Sequence, residues 1–199
     1  MCNYGYWNCF DKNWKQHDFL NYGQFIDENL KEITENKLVK LTDFSNLKTK
    51  IGFLSADIIS GHSITYFLKT ILSNYDKKKY EIILLLNNPK EDELTKDFKN
   101  LVDETINIWN LDNVSAVNRL RELRFDLLVD LMGYTSTNRI EMLKNRAAKK
   151  QIIWMGYCNT TGLKNMDYII SDPNLIHSNE EKFYSEKVIY MPKIWNSHC

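Results

Sequence analysis

The pattern of apolar and polar residues along the chain predicts strands that alternate with helices. Short apolar runs rich in β-favouring residues predict strands, which cover residues 48–57, 80–86, 106–111, 125–132, 152–155, 168–170 and 187–190. Apolar residues at helical spacing predict helices at residues 19–35, 64–72, 115–123 and 139–146, and a polar helix is predicted at residues 91–102. This alternation predicts an α/β fold with a Rossmann-like parallel sheet, right-handed crossovers and helices on both faces.

Two of the predicted strands place the sheet in the interior of the protein. Residues 80–86 (YEIILLL) and 125–132 (FDLLVDLM) lack the polar alternation of a strand with one exposed face, so both faces are expected to be covered. The strand ends near Asp57, Gly133 and Gly156 then converge on the carboxyl edge of the sheet. Open α/β sheets bind their ligands at that edge, so we expect the functional site there.

The first part of the chain differs in character and divides it into two regions, residues 1–47 and residues 48–199. It begins with closely spaced aromatic residues, at Tyr4, Tyr6, Trp7, Phe10 and Trp14. Such side chains mostly act as large apolar anchors, so we expect them to pack against a neighbouring domain or a core edge; stacking on carbohydrate is the alternative. The amphipathic helix predicted at residues 19–35 follows them.

Composition and charge exclude several classes of protein. The chain has 43% hydrophobic and 26% charged residues, as a soluble globular protein does. Its 26 basic and 26 acidic residues balance, so no global field recruits nucleic acid or an anionic membrane. No apolar run reaches membrane-spanning length and no signal peptide is recognisable, which predicts a cytoplasmic protein.

Cysteine, histidine and glycine spacing indicates neither a metal site nor a dinucleotide site. The four cysteines, at positions 2, 9, 158 and 199, include no C-x-x-C pair, and the four histidines are scattered. Zinc sites need paired ligands, so we expect no metal and no disulfide framework. The glycine fingerprint G-x-G-x-x-G of dinucleotide-binding folds is absent as well.

Two loops at predicted strand ends are candidates for chemistry. His62 follows a strand at the predicted start of a helix, where a neutral imidazole can bind a hydroxyl or phosphate or act as a base; a capping or packing histidine is the alternative. The small-polar loop at residues 156–162 joins two predicted strands and can present backbone amides to a ligand. An ordinary turn is the alternative there.

The order of motifs resembles the catalytic region of the O-GlcNAc transferase and SPINDLY-like glycosyltransferases. Residues 154–162 read W-M-G-Y-C-N-T-T-G, and M-D-Y, Y-S-E-K and M-P follow at residues 166–168, 184–187 and 191–192. Upstream, Ser55, Asp57, His62 and residues 67–68 fit the pattern S-x-D-x(4–6)-H-x(4)-Y/F-L, and residues 133–135 match the G-Y/H-T loop. The resemblance covers roughly residues 48–192.

The resemblance implies the residues of the site. His62 would be the catalytic-site residue, close to donor sugar and acceptor. Substrate contacts would come from the three motif loops, at Asp57, Gly133, Tyr134, Thr135, Met155, Gly156, Tyr157 and Thr161. Two departures bear on donor geometry: Met132 stands where many members have Asn, and Cys158-Asn159 replaces the usual Pro-Gly.

The resemblance also implies a function. The chain would be the N-terminal half of a GT-B glycosyltransferase, preceded by a helical linker, and part of a protein O-linked N-acetylglucosamine transferase. It would move a sugar from a UDP-sugar, such as UDP-N-acetylglucosamine, to Ser/Thr hydroxyls of a protein or peptide acceptor, without metal or cofactor. Fucose is an alternative donor sugar.

The resemblance implies that the uridine and diphosphate are held mainly by a second, C-terminal half, which we expect to be missing from this chain. The resemblance therefore predicts a truncated chain that is inactive alone. The competing hypothesis is a non-enzymatic docking module with the same fold. A nucleotide-sugar epimerase is disfavoured by the motif order and by the missing glycine fingerprint.

Overall fold

The computed structural model describes residues 8–196, in which a seven-stranded sheet forms the centre. All neighbouring strands pair in parallel, in the order β3-β2-β1-β4-β5-β6-β7. The strands are β1 (Thr49–Ser55), β2 (Tyr80–Leu86), β3 (Glu104–Asn107), β4 (Leu127–Asp130), β5 (Lys150–Ile153), β6 (Tyr168–Ser171) and β7 (Lys187–Tyr190). The chain builds outward from β1 to β3 and then returns to the other side of β1, so the topological switch point lies between β1 and β4.

Helices cover both faces of this sheet, which confirms the predicted Rossmann-like α/β fold. They are α1 (Gln16–Asn29), α2 (Ser63–Asn74), α3 (Glu93–Lys99), α4 (Asn113–Leu123) and α5 (Ile140–Lys144), with 3-10 turns at Glu35–Lys37 and Glu181–Phe183. One hydrophobic core joins the sheet to α1, α4 and α5, and another joins it to α2 and α3. Successive strand residues alternate between the two cores: Phe53 belongs to the α2 side and Leu54 to the α1 side.

The first helix is part of the main core. Ile26 of α1 belongs to the same buried cluster as Leu163 and Met166, which lie between β5 and β6. The ammonium of Lys144 is buried and donates to the carbonyl oxygens of Asp27 and Leu30 at the end of α1. The described part of the region before residue 48 therefore folds onto the sheet.

Several predicted element boundaries differ from the structure, and at two of them side chains satisfy the backbone in another way. The first helix ends at Asn29 and not at residue 35, since Lys144 and Asn145 bind the backbone that would continue it. The third strand ends at Asn107, whose side chain accepts from the Trp109 amide and forms a turn. The fifth strand covers residues 150–153 and not 152–155.

The aromatic residues before α1 are only partly within the described region. Trp14 packs against Phe19 and Tyr22 of α1, with ring centroids 5.1 and 5.9 Å apart. Phe10 is 72% exposed. Tyr4, Tyr6 and Trp7 lie outside the described residues. No helix between residues 8 and 196 has the length and apolar character needed to cross a bilayer.

A direct backbone contact joins α1 to the loop before β6. A Cβ atom added at Gly23 would overlap the carbonyl group of Thr161, and one added at Gly162 would overlap the backbone of Gly23. Gly162 also has a positive φ of 69°, which a residue with a side chain rarely adopts. The contact thus requires glycine on both sides.

We predict that Gly23→Ala destabilises the protein although alanine is the better helix former. The added methyl group would force α1 away from Thr161, and such overpacking costs about 1–3 kcal/mol. Urea unfolding followed by circular dichroism measures the difference. Gln24→Ala, at the neighbouring exposed position of the same helix, is the matched control and should change the free energy of unfolding little. A Gly23→Ala protein as stable as the parent would show that the contact does not limit the packing of α1.

Candidate functional site

A cavity of about 290 Å³ opens at the carboxyl edge of the sheet. It lies at the switch point, where the loops after β1, β4 and β5 meet the start of α2. Its lining residues are Asp57, His62, Ser63, Ile64, Phe67, Thr135, Ser136, Met155 and Gly156. The structure therefore brings together the three strand ends that the sequence placed at this edge.

His62 occupies the N-cap of α2 and half faces solvent. Its Nδ1 atom accepts a long hydrogen bond of 3.4 Å from the amide of Ile64, and its Nε2 atom lies 3.9 Å from Oδ2 of Asp57. Because Nδ1 accepts, the neutral ring carries its proton on Nε2. The capping role and a functional role of His62 are thus compatible, because the cap uses Nδ1 and leaves Nε2 beside Asp57, which also lines the cavity.

Asp57 is the carboxylate partner of His62. The hydroxyl of Ser55, the last residue of β1, accepts a 2.9 Å hydrogen bond from the Asp57 amide and fixes the start of the loop. Burial raises the pKa of Asp57, and the nearby His62 opposes that effect. A partly desolvated carboxylate beside an imidazole can orient the ring and can also accept a hydrogen bond from a ligand hydroxyl.

The loop after β4 brings a hydroxyl group to the cavity wall. Thr135 lines the cavity, and its Oγ1 atom is buried without a hydrogen-bond partner among the described residues. Buried hydroxyl groups are nearly always paired, so the unpaired Thr135 hydroxyl next to the cavity marks this loop as a candidate for contact with a ligand or water. The predicted substrate contact at Thr135 stays a prediction.

A fully buried carboxylate holds this loop. Asp130, the last residue of β4, accepts hydrogen bonds from the amides of Gly133 (2.8 Å) and Met132 (3.2 Å). Burial raises the pKa of Asp130 to about 7, although both hydrogen bonds act in the opposite direction. Asp130 is therefore an ionisable group that holds the start of the loop carrying Thr135.

Two glycines let the loops after β4 and β5 touch. A Cβ atom at Gly156 would overlap the carbonyl group of Leu131, and one at Gly133 would overlap the side chain of Tyr157. Met155, which precedes Gly156 and also lines the cavity, has a positive φ of 65°. Gly133 and Gly156 thus shape the cavity by close packing, and only Gly156 lines it.

Three predicted contact residues have their side chains in the core and not in the cavity. Tyr134 is buried and donates a 2.7 Å hydrogen bond to the carbonyl oxygen of Thr161. The ring of Tyr157 packs edge-on against Tyr134, with centroids 5.4 Å apart, and burial raises the pKa of its hydroxyl group. The buried Thr161 hydroxyl binds Glu186. The side chains of Tyr134, Tyr157 and Thr161 therefore do not line the cavity, and their part in substrate binding would be to hold the loops after β4 and β5 in place.

Glu186 is a structural residue that the sequence analysis quoted in the Y-S-E-K motif without assigning it a role. Its buried carboxylate accepts hydrogen bonds from the Thr160 hydroxyl (2.7 Å), the Thr161 amide (2.7 Å) and the Thr161 hydroxyl. The two threonines of the T-T-G motif are therefore partners of Glu186. The sequence analysis also did not name Ser63, Ile64, Phe67 and Ser136 as contact residues, although all four line the cavity.

Among residues 8–196, no cluster of three or more histidine, cysteine, aspartate or glutamate side chains could hold a metal ion. The cavity itself presents His62 and Asp57 as its only residues of those types. What the arrangement offers chemically is a directed imidazole, a carboxylate, an unpaired hydroxyl group and the positive end of the α2 dipole.

The sequence profile of the family described as glycosyl transferase family 41 matches residues 28–197. The chain belongs to this family. The match includes all three loops that meet at the cavity, and it begins within α1, in the region that the sequence analysis set apart. The predicted family resemblance is thereby confirmed.

Individual members of the family align with most of this chain at low sequence identity. A probable UDP-N-acetylglucosamine–peptide N-acetylglucosaminyltransferase SPINDLY of Solanum lycopersicum is 27% identical over 185 residues, which make up 91% of this chain and 19% of the relative. The Arabidopsis thaliana protein of the same name is 31% identical over 160 residues, 76% of this chain and 17% of its own length. The chain spans less than a fifth of the length of these curated relatives.

A solved structure confirms the fold. A mutant O-GlcNAc transferase of Thermobaculum terrenum superposes with a TM-score of 0.83 at 23% identity, over 96% of this chain and 37% of that one. The chain thus has the architecture of one part of that larger protein.

We predict that Asp130→Asn changes the pH dependence of stability. The pKa of Asp130 is about 7 in the folded protein and about 3.9 in an unfolded chain. The folded state therefore binds more protons between these values, and its stability falls as the pH rises through that window. Removing the ionisation should shift the stability difference in favour of the variant by about 2–3 kcal/mol between pH 5 and pH 8.

Urea unfolding of parent and variant at the two pH values measures this shift. Asp126→Asn is the control: although burial acts to raise the pKa of Asp126, hydrogen bonds from Lys50, Asn46 and Lys149 lower it overall. Its contribution is complete above pH 5, so the loss on substitution should be the same at both values. A pH-independent effect of Asp130→Asn would show that the carboxylate is ionised throughout.

Proposed function

We propose that the cavity holds the sugar end of a UDP-sugar, and that the chain forms part of a protein O-linked N-acetylglucosamine transferase. The observation that carries this proposal is the meeting of His62, Thr135 and Met155–Gly156 in one cavity. These residues come from three separate motifs of the family, far apart in sequence. The parallel sheet brings the ends of β1, β4 and β5 to one edge, and a ligand shared by the three loops would explain why all three carry family motifs.

The lining suits an uncharged, hydroxyl-rich group. It combines hydroxyl groups, one imidazole and one carboxylate with apolar side chains at Ile64, Phe67 and Met155, and it contains no lysine or arginine among the described residues. A diphosphate calls for cationic or metal partners, whereas a sugar ring pairs with hydroxyl and carboxylate groups. The volume of about 290 Å³ lies at the lower limit of ligand pockets, about 300–1,000 Å³, and fits part of a nucleotide sugar.

His62 would act first as a hydrogen-bond donor. With Nδ1 engaged by the Ile64 amide, Nε2 carries the proton and can donate to an oxygen of the donor or acceptor. To serve as a general base through Nε2, the ring would have to change tautomer and lose the hydrogen bond that Nδ1 accepts from the Ile64 amide. We therefore propose that His62 positions the reacting groups, in a transfer that needs an in-line hydroxyl and a fixed donor.

The names of the relatives support the choice of substrates. They describe transfer from UDP-N-acetylglucosamine to peptide, and we propose a UDP-sugar donor and a Ser/Thr hydroxyl of a protein or peptide acceptor for the present family member. The relatives are more than five times as long as the matched segment, so we propose that groups outside this sequence hold the diphosphate. A transfer without metal, and a cytoplasmic location, stay predictions.

We predict that the chain binds UDP-N-acetylglucosamine saturably and that His62→Asn weakens this binding about tenfold, or about 1.4 kcal/mol. Asparagine is a favoured N-cap residue, so this variant keeps the start of α2 while removing the imidazole. Isothermal titration calorimetry gives the affinity, and thermal unfolding shows that the fold is retained. His177→Asn, at an exposed histidine far along the chain from the cavity loops, is the matched control.

Titration with UDP alone separates the sugar from the nucleotide. Under the proposal UDP binds this chain more weakly than UDP-N-acetylglucosamine, because the cavity has no cationic partner for the diphosphate. Equal affinities would place the nucleotide rather than the sugar at the site. A folded chain that binds neither would refute a sugar cavity in this chain and favour the docking-module hypothesis.

A further inference from the structure

Two cysteines far apart in sequence meet beside the cavity loop. Cys9 lies in the turn region before α1, and Cys158 lies in the loop at residues 156–162. The side-chain amide of Asn159 is 3.1 Å from Sγ of Cys9 and 3.9 Å from Sγ of Cys158. Both cysteines are free and partly exposed, so the pair is not sealed within the core.

The two sulfur atoms differ in reactivity because they hydrogen-bond to each other. The bond from the Cys9 thiol lowers the pKa of Cys158 to about 7, although burial acts in the opposite direction. The same bond, together with burial, raises the pKa of Cys9. Since the thiolate is the nucleophile, Cys158 is the thiol that would react first and Cys9 the one poised to resolve the product.

We propose that Cys9 and Cys158 form a redox modification site, in which a peroxide converts the pair into a reversible disulfide. This inference concerns neither the sugar cavity nor the transfer reaction, and it rests on residues that no family motif requires. It explains why a cysteine can occupy the loop position where the family usually has proline: the side chain has a partner on the segment before α1.

The chemistry balances with hydrogen peroxide as the two-electron oxidant. The Cys158 thiolate attacks one peroxide oxygen, the O–O bond breaks, and sulfenic acid and hydroxide result. The Cys9 thiol then attacks the sulfenic sulfur, the S–S bond forms, and water leaves with the thiol proton. A dithiol such as dithiothreitol reverses the step by thiol–disulfide exchange.

The fold makes this bond a tether between two elements that already touch. Gly23 of α1 packs against Thr161 and Gly162, a few residues after Cys158. A disulfide would add a covalent link between the segment before the same helix and the same loop. Because it closes a long loop of the chain, the oxidised form should be more stable toward unfolding.

Tryptic mapping of the oxidised 199-residue chain tests the proposal. Trypsin releases residues 1–12, which contain both Cys2 and Cys9, and residues 151–164, which contain Cys158. The variants Cys2→Ser and Cys9→Ser each leave one cysteine in the first peptide and are therefore matched controls. After mild peroxide treatment, we expect mass spectrometry to find the cross-linked pair of peptides in Cys2→Ser and not in Cys9→Ser, and dithiothreitol to remove it.

Thermal unfolding provides a second readout. Oxidation should raise the Tm of Cys2→Ser by about 5 °C or more and leave that of Cys9→Ser unchanged. A cross-link that persists in Cys9→Ser would identify Cys2 as the partner and overturn the proposal. So would a disulfide to Cys199, a disulfide-linked dimer, or oxidation of Cys158 to sulfinic acid without any cross-link.

Discussion

Close backbone packing of the loop between β5 and β6 is the constraint on which the site depends. Parallel strands are usually joined through a helix, but residues 154–167 contain none. Near the carboxyl edge, Gly156 lies against the carbonyl group of Leu131; farther along, Gly162 lies against Gly23 of α1. The first contact forms one wall of the cavity, and the second lets α1 cover the irregular connection.

Two buried carboxylates accept hydrogen bonds from the irregular loops near this contact. Glu186 satisfies Thr160 and Thr161 in this connection, and Asp130 satisfies Met132 and Gly133 in the loop after β4. A buried charge is costly unless it is fully hydrogen-bonded, so each carboxylate specifies one loop conformation. The motif residues thus divide into those that line the cavity and those that hold its lining in place.

This division clarifies how a family site can be carried by one segment of a much longer protein. The proposed sugar cavity is formed by loops from β1, β4 and β5 and the start of α2, all of which lie within the matched region. The cysteine pair lies at the edge of the same loop and connects it to the segment before α1. The proposed sugar site and the proposed disulfide would therefore share one loop, the one after β5.

The sequence by itself determined the strand and helix order, the parallel sheet and the edge at which His62, Thr135 and Gly156 meet, because apolar periodicity and motif order are local signals. Only the tertiary structure decided where α1 ends, since the Lys144 ammonium and the Asn145 side chain replace its next hydrogen bonds. It alone also placed Tyr134, Tyr157 and Thr161 in the core and paired Cys9 with Cys158. These outcomes rest on contacts between distant residues, and spacing along a single chain carries no record of such contacts.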